Sequence, residues 1–191
     1  MTELWVFGYG SLIWRPGFPY LERKVARLSG VHRSLCVYSW VHRGTPERPG
    51  LVLGLDRGGA CRGIAFRVAP ADWESVQAYL REREQVTAVY LERMREMRFA
   101  DGSMPRALTY LVDRRHGQYA GKLDEETQFR IVAGAHGRSG ANSDYVVNTA
   151  THLAELGMPD PLLTRLAERL RALDPNAGPN DAAKPQAASR R

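Results

Sequence analysis

The segments typical of β-strands come early in the chain, and helical periodicity dominates its last third. One helix, over about residues 72–84, interrupts the strand-type segments. Strands followed by helices predict an α+β domain with a largely antiparallel sheet that curls into a small β-barrel with flanking helices. The predicted strands are short apolar segments between Gly-, Pro- and Arg-containing turns, over residues 4–8, 34–40, 51–55, 63–68, 89–97 and 108–112.

Polar residues mark where the helices begin. Asp72, Asp124 and Asp160 each precede a segment of helical spacing and are predicted N-caps, and either Ser139 or Asn142 is predicted to cap the helix between the last two. The domain is therefore predicted to cover residues 1–174. Residues 175–191 have alanine as their only apolar residue type, which predicts a solvated, disordered tail.

Composition argues against several function classes. The net charge is +6, but only three of the 27 basic residues are lysines, and residues 81–98 mix five arginines with four glutamates, which does not favour nucleic acid as a partner. The two cysteines are isolated, and the five histidines lack metal-binding spacing, so no metal site is predicted. With no apolar stretch long enough for a membrane span and no leader pattern, the sequence predicts a cytoplasmic protein without a membrane partner.

The end of the first strand has the most informative local sequence, from Phe7 to Leu12. Glycines there let backbone N–H groups converge on one point, as in a nest for an anion or oxyanion. Ile13 replaces the third glycine of a dinucleotide-binding fingerprint, and no Gly-Lys-Ser/Thr follows as in a P-loop. An ordinary tight turn with a capping serine is the alternative interpretation.

Glu84 lies on the apolar stripe of the predicted helix. At about 100° per residue it falls close to Trp73 and Leu80 around the helix axis, so its side chain is expected to point inward. Burial and the helix C-terminus both disfavour the charged form, which would raise the pKa of Glu84 and suit a general acid or base. An ion pair with Arg81, or fraying of the helix end, is the alternative. Glu82 falls on a different face and is predicted to be solvated.

Two further segments have functional and structural interpretations. Gly134–Tyr145 holds glycines and Tyr145 near a helix N-terminus, where carboxylates bind, although structural capping is the simpler account. His42–Gly50 is a Gly- and Pro-rich connector between two strands, in which Arg43 could clamp a substrate carboxylate.

Five sequence blocks in order resemble the γ-glutamylcyclotransferase superfamily, and specifically its ChaC-like, glutathione-specific branch. The resemblance extends from about Leu4 to about Leu170. The blocks are WVFGYGSLIW (residues 5–14), HRGTPERPG (42–50), CRGIAFRV (61–68), YLREREQVTAVY (79–90) and GRSGANSDY (137–145), the last followed by LAELGMPD. The first and fourth are the specific ones.

The resemblance implies a compact barrel-like fold and a lyase that cleaves glutathione into 5-oxoproline and cysteinylglycine, without metal or organic cofactor. Tyr9–Leu12 would receive the γ-glutamyl group and Glu84 would be the acid/base. The predicted substrate-binding residues are Val6, Phe7, Gly8, Tyr9, Gly10, Ser11, Leu12, Arg43 and Tyr145. The expected partner is the small-molecule substrate, and the expected state is a monomer. One departure concerns the pocket wall: Ala88-Val89-Tyr90 stands where many relatives have Gly-Gly-Tyr or Gly-Ala-Tyr.

Four alternatives remain open from the sequence. Other γ-glutamyl peptides or amines could be the substrate. A serine hydrolase would use Ser11 or Ser139, although neither serine sits in a nucleophile elbow. A non-catalytic protein could bind glutathione without turning it over, and the altered residues Ala88 and Val89 are the feature that keeps this alternative open. An arginine-rich nucleic-acid binder would lose affinity steeply with salt.

Overall fold

Strand β1 (Leu4–Gly8), the first apolar segment of the chain, occupies the centre of a five-stranded sheet. The computed structural model describes residues 3–174. The strand order is β2-β3-β1-β5-β4, and two-residue strands β6 and β7 form a separate pair. The other elements are β2 (Glu22–Ser39), β3 (Gly50–Val68), α1 (Trp73–Glu84), β4 (Tyr90–Glu96), β5 (Arg106–Val112), α2 (Glu125–Gly134), β6 (His136–Gly137), β7 (Gly140–Ala141), α3 (Asn142–Glu155) and α4 (Pro161–Leu173).

Both edges of β1 are paired. It runs antiparallel to β3, with Gly8 opposite Ile64, and parallel to β5, with Val6 opposite Leu108. β4 and β5 are antiparallel. The sheet is therefore mixed, and Val6 and Phe7 are both fully buried in it.

The two edge strands of the sheet approach each other at one place. Arg27 of β2 and Arg98, just beyond β4, exchange two backbone hydrogen bonds of 2.9 and 2.8 Å. This bridge joins the two ends of the strand order, so the sheet curls towards a barrel. The predicted α+β class with a curled sheet and flanking helices is confirmed.

The described chain divides into two compact units. The first contains residues 3–34 and 54–113, and the second contains residues 35–53 and 114–174. β2 and β3 contribute to both units. That residues 1–174 form one domain stays a prediction, and the predicted disordered tail, residues 175–191, lies outside the described residues.

Two strands are longer than predicted. β2 begins twelve residues before the predicted Ser34. Its first half alternates buried Ala26 and Leu28 with exposed Val25, Arg27 and Ser29, a pattern with too few apolar side chains to stand out. The predicted strands 51–55 and 63–68 are one strand, β3, because the pair Gly58-Gly59 lies within the strand and does not end it.

The predicted N-caps Asp124 and Asp160 are confirmed, Asp72 is the N-cap residue of α1 but makes no capping hydrogen bond, and the prediction for α3 is wrong. The Asp124 carboxylate accepts a 2.8 Å hydrogen bond from the Thr127 N–H, and Asp160 accepts two of 3.1 Å at the start of α4. Asp72 has helical backbone angles and makes no side-chain cap, because the 3-10 turn Pro70–Asp72 already continues into α1. At α3 neither Ser139 nor Asn142 caps the helix, whose N-cap residue is Ala141.

The side chain of Asn142 has a different role within the second unit. It is fully buried, accepts a 2.7 Å hydrogen bond from the Leu51 N–H and donates one of 2.8 Å to the Leu51 carbonyl. The amide thus satisfies both backbone groups of a residue in β3. This pairing fixes the start of α3 against the start of β3.

We predict that Asn142→Ala lowers the free energy of unfolding by about 1–3 kcal/mol, because both backbone groups of Leu51 lose their partner in a buried position. Urea unfolding followed by circular dichroism measures this. Ser139→Ala is the control, since Ser139 is exposed, and its expected change is within about 0.5 kcal/mol. Equal losses in the two variants would contradict the role assigned to Asn142.

Candidate active site

The loop after β1 turns sharply out of the sheet. Tyr9 is buried, and a 3-10 turn at Ser11–Ile13 follows, with the Ile13 N–H donating to the Gly10 carbonyl at 2.9 Å. Gly63 of β3 lies against the Gly8 carbonyl, where a Cβ atom would not fit. The close approach of the two strands at this point therefore requires glycine.

Arg33 of β2 holds the carbonyl side of this loop. Its Nε donates a 2.6 Å hydrogen bond to the Tyr9 carbonyl, and its Nη2 donates one of 2.7 Å to the Arg62 carbonyl. With the Tyr9 carbonyl fixed, the peptide planes that follow it are restricted in orientation. The hydrogen bond from Arg33 thus restricts the backbone at the start of the predicted anion nest, Tyr9–Leu12. That this loop binds a ligand stays a prediction.

Glu84 is the last residue of α1, and its side chain is 18% exposed. Leu80, on the same face, is fully buried, so the carboxylate points inward as its helical spacing predicts. Glu82 is exposed, also as predicted. The alternative that Glu84 pairs with Arg81 is wrong, because Arg81 forms a two-bond ion pair with Glu92 at 2.9 and 2.8 Å.

The charged neighbour of Glu84 is Arg83, whose Nε lies 3.3 Å from the Glu84 Oε1. Burial raises the pKa of the Glu84 carboxyl above its ordinary value of 4.5, and the positive charge of Arg83 opposes this rise. Burial has the larger effect. The carboxyl therefore holds its proton more tightly than an exposed glutamate does, which favours acid/base chemistry near neutral pH.

Arg83 also contacts the loop. Its Nη2 donates a 2.8 Å hydrogen bond to the Ser11 Oγ, and its Nη1 donates one of 2.7 Å to the Arg15 carbonyl. One guanidinium thus brings together two of the predicted site residues of the first unit, Ser11 and Glu84. Sequence reasoning did not identify Arg83 as a site residue, although it directly precedes Glu84.

Tyr110 of β5 is a second residue that sequence reasoning did not select. It is buried, and its hydroxyl lies 3.3 Å from Glu92 Oε2, to which it donates a hydrogen bond. Burial first, and then the negative charges of Glu92 and Glu84, raise the pKa of the Tyr110 phenol. The Tyr110 phenol therefore stays protonated, and it interacts electrostatically with Glu84. A tyrosine in an apolar strand has no pattern that separates it from an ordinary core residue.

The second unit contains the other two predicted substrate-binding side chains. Arg43 donates a 3.0 Å hydrogen bond to the Ala141 carbonyl, and its guanidinium carbon lies 5.6 Å from the centroid of the Tyr145 ring. The Tyr145 hydroxyl accepts a 3.1 Å hydrogen bond from the Leu53 N–H. Arg43 and Tyr145 are therefore in contact, and their roles in substrate binding stay predictions.

The segment that departs from the family pattern forms a turn after α1. The Ala88 N–H donates a 3.1 Å hydrogen bond to the Gln85 carbonyl, and Ala88 has a φ of 57°, in the left-handed region that favours glycine. Val89, which follows, is buried. The alanine therefore keeps a backbone conformation suited to glycine.

The curled, mixed sheet with its helices is similar in fold to solved γ-glutamylcyclotransferases. A selenomethionine-labelled yeast γ-glutamylcyclotransferase specific to glutathione has a TM-score of 0.81 to this chain at 22% identity, over 90% of this chain and 97% of that one. Another solved γ-glutamylcyclotransferase has a TM-score of 0.52 at 13% identity, over 86% of each chain. These likenesses identify the fold.

Residues 4–173 match the family model of ChaC-like proteins, and the chain belongs to this family. The glutathione-specific γ-glutamylcyclotransferase of Escherichia coli K12 is 32% identical over 170 residues, which are 89% of this chain and 74% of that protein. The human glutathione-specific γ-glutamylcyclotransferase 1 is 32% identical over 81% of this chain and 71% of its own length.

The described residues contain neither a candidate metal site nor a candidate membrane-spanning helix. Between residues 3 and 174, no group of three or more His, Cys, Asp and Glu side chains could hold a metal ion. Over the same range, no helix has both the length and the apolar character needed to cross a membrane.

We predict that Glu84→Gln is more stable than the wild type at about pH 8 and that this difference shrinks towards about pH 5. The folded state holds the Glu84 proton more tightly than the unfolded state, so ionisation above the unfolded pKa costs stability, and glutamine does not ionise. Thermal unfolding across this pH range measures the effect.

The control for this prediction is Glu82→Gln, which removes an exposed carboxylate from the same helix. It should change the melting temperature little, and equally at both pH values. A Glu84→Gln protein that is less stable than the wild type at alkaline pH would contradict the prediction.

Proposed function

We propose that this protein cleaves glutathione into 5-oxoproline and cysteinylglycine as a γ-glutamylcyclotransferase. The observation that carries the proposal is the largely buried Glu84 carboxylate, with Arg83 binding both it and the loop that holds Ser11. Membership of the ChaC-like family supports it, as do relatives that are named glutathione-specific γ-glutamylcyclotransferases.

The reaction is intramolecular, and water is not a reactant. The α-amine of the γ-glutamyl group attacks the γ-carbonyl carbon, a C–N bond forms the five-membered ring, and the bond to the cysteinyl nitrogen breaks. Holding the γ-glutamyl arm in a folded conformation could contribute part of the roughly 7–11 kcal/mol available to well-oriented intramolecular reactions. Orientation of the substrate is therefore the main task of the binding site.

Glu84 moves the proton. An α-amine with a pKa of about 8 is mostly protonated at neutral pH and is then not nucleophilic. Glu84 takes one proton from this ammonium group, and a second proton leaves the attacking nitrogen as the ring forms. The departing nitrogen receives one proton from Glu84 as its bond breaks and another as it becomes an ammonium group, so that the protons balance over one turnover. A carboxyl whose pKa is raised by burial is a better match for both transfers than an exposed one.

The loop Tyr9–Leu12 is proposed to bind the substrate carboxylate or the developing oxyanion through backbone N–H groups. Donors of this kind typically contribute about 10²–10³ in turnover. Ser11 serves as a hydrogen-bonding residue in this account and not as a nucleophile, because its Oγ accepts a hydrogen bond from the Arg83 guanidinium, which stays protonated and cannot act as a general base. Arg43 and Tyr145 are proposed to contribute to substrate recognition.

We predict that the purified protein releases 5-oxoproline from glutathione. Glutathione, γ-glutamyl dipeptides and γ-glutamyl amines should be incubated with it in parallel, with 5-oxoproline followed by chromatography. Activity on another γ-glutamyl compound but not on glutathione would show that the proposed substrate is wrong while the reaction type is right. Glutathione binding in calorimetry without turnover of any compound would indicate a non-catalytic binding protein and refute the enzyme.

We predict that Glu84→Gln lowers kcat by about 10²–10⁴, because the amide cannot accept the ammonium proton. Ser11→Ala should be milder, at about tenfold, since it removes one hydrogen bond. Glu82→Gln, two residues from Glu84 and exposed, should keep wild-type turnover. Near-normal 5-oxoproline release by folded Glu84→Gln would refute the assignment, and labelling of Ser11 by a serine-reactive phosphonate would favour a serine hydrolase instead.

A further inference from the structure

We infer that Arg83 is a positioning residue, which locks the segment from Ser11 to Pro16 onto the end of α1 and so fixes the loop relative to the Glu84 carboxylate. The inference rests on the proposed function. The role needs an arginine, and it is distinct from the acid/base role of Glu84.

The contacts of Arg83 converge from two sides. On the loop side, Nη2 donates to the Ser11 Oγ at 2.8 Å, while Nη1 donates to the Arg15 carbonyl at 2.7 Å and lies 3.3 Å from the Pro16 carbonyl. On the helix side, Nη1 donates to the Tyr79 hydroxyl at 2.9 Å, and Nε lies 3.3 Å from the Glu84 Oε1. All three nitrogens of the guanidinium are used, and its side chain is only 19% exposed.

This geometry suits a guanidinium and not an ammonium group. Arginine presents five N–H donors in a rigid planar fork, so Nε can face Glu84 while both Nη atoms face the loop. A lysine has one nitrogen on a flexible stem and could keep the charge near Glu84, but it cannot reach a hydroxyl, a carbonyl and a carboxylate in fixed directions. Arg83→Lys therefore separates charge from geometry.

A second contact holds the same loop against the same helix. Gly17 has a φ of +75° and lies against the Tyr79 ring and hydroxyl, where a Cβ atom would clash. Tyr79 is one helical turn before Arg83, so both side chains lie on one face of α1. The loop is thus fixed at Ser11, at the Arg15 and Pro16 carbonyls, and at Gly17.

The charge of Arg83 also acts on Glu84. Burial raises the pKa of the Glu84 carboxyl, and Arg83 lowers it. Tyr110 from β5 also interacts electrostatically with Glu84, and in turn with Glu92 and Arg81. Without Arg83 the carboxyl would hold its proton to higher pH, and less of it would be ionised to accept the substrate's ammonium proton.

The test compares Arg83→Lys and Arg83→Met by steady-state kinetics with glutathione from about pH 5 to about pH 9, a range that covers the raised pKa of a buried carboxyl. Arg83→Met should lower kcat/KM by about 10², the typical cost of misplacing reacting groups by about 1 Å. The acid limb of its kcat/KM profile should also move to higher pH. Arg83→Lys should lose kcat/KM while its acid limb stays near that of the wild type, because the charge is retained.

The matched control is Arg106→Gln, which removes an exposed arginine whose Nη2 bonds the Met94 carbonyl in the same unit. It should leave kcat/KM and the acid limb unchanged. Wild-type kcat/KM in folded Arg83→Met would overturn the inference. So would an equal loss in both Arg83 variants with an unmoved acid limb, because a purely structural role would produce that result.

A readout that does not need turnover keeps the inference separate from the proposed function. Hydrogen–deuterium exchange should be faster over residues 10–17 in Arg83→Met than in the wild type, with β5 unchanged. If the wild type releases no 5-oxoproline, the proposed function fails while this exchange result still decides whether Arg83 fixes the loop. Unchanged exchange over residues 10–17 would overturn the inference whatever the activity. If Arg83→Met does not fold, Arg83→Lys is used for the same measurement.

Discussion

The pairing of β1 on both of its edges is the constraint on which the candidate site of the first unit depends. β3 and β5 together satisfy the backbone of β1, and its side chains at Trp5, Val6 and Phe7 are buried. A shift by one residue would turn every side chain of β1 to the opposite face of the sheet, so its present packing on both faces would be lost. The point where the chain leaves the sheet, at Gly8, is therefore fixed, and so is the start of the loop that follows.

The end of α1 is set by a different kind of interaction, and Arg83 connects the two. Apolar packing of Leu80 turns the helix face that carries Glu84 inward. The resulting burial disfavours the carboxylate, and Arg83 offsets part of that cost while it binds Ser11. Stability alone would not place a charge at this buried position. Ionised Glu84 destabilises the folded protein, and the proposed reaction requires this ionised form.

Local patterns predicted the parts of the structure that local forces decide. The bounds of β1, the caps at Asp124 and Asp160 and the inward direction of Glu84 follow from apolar spacing and capping chemistry. The role of Asn142 does not, because its partner Leu51 is 91 residues away along the chain. The contact between Arg83 and Ser11, which are 72 residues apart, likewise cannot be predicted from local sequence patterns. Helical spacing indicates Glu84 as a candidate acid or base, and the glycines indicate the loop as a candidate anion nest. The reaction and the substrate come only from the family resemblance.

Ala88, which stands where many relatives have glycine, raises the conformational free energy of the turn after α1 more than it changes the path of the backbone. A left-handed conformation costs a non-glycine residue about 1–2 kcal/mol, yet Ala88 adopts it with a φ of 57°. The turn is held from both ends, since the Gln85 carbonyl accepts from the Ala88 N–H and the Gln85 amide lies 3.4 Å from the Tyr90 carbonyl. Because this turn accommodates alanine directly after Glu84, the departure from the family pattern gives no structural reason to favour a non-catalytic protein.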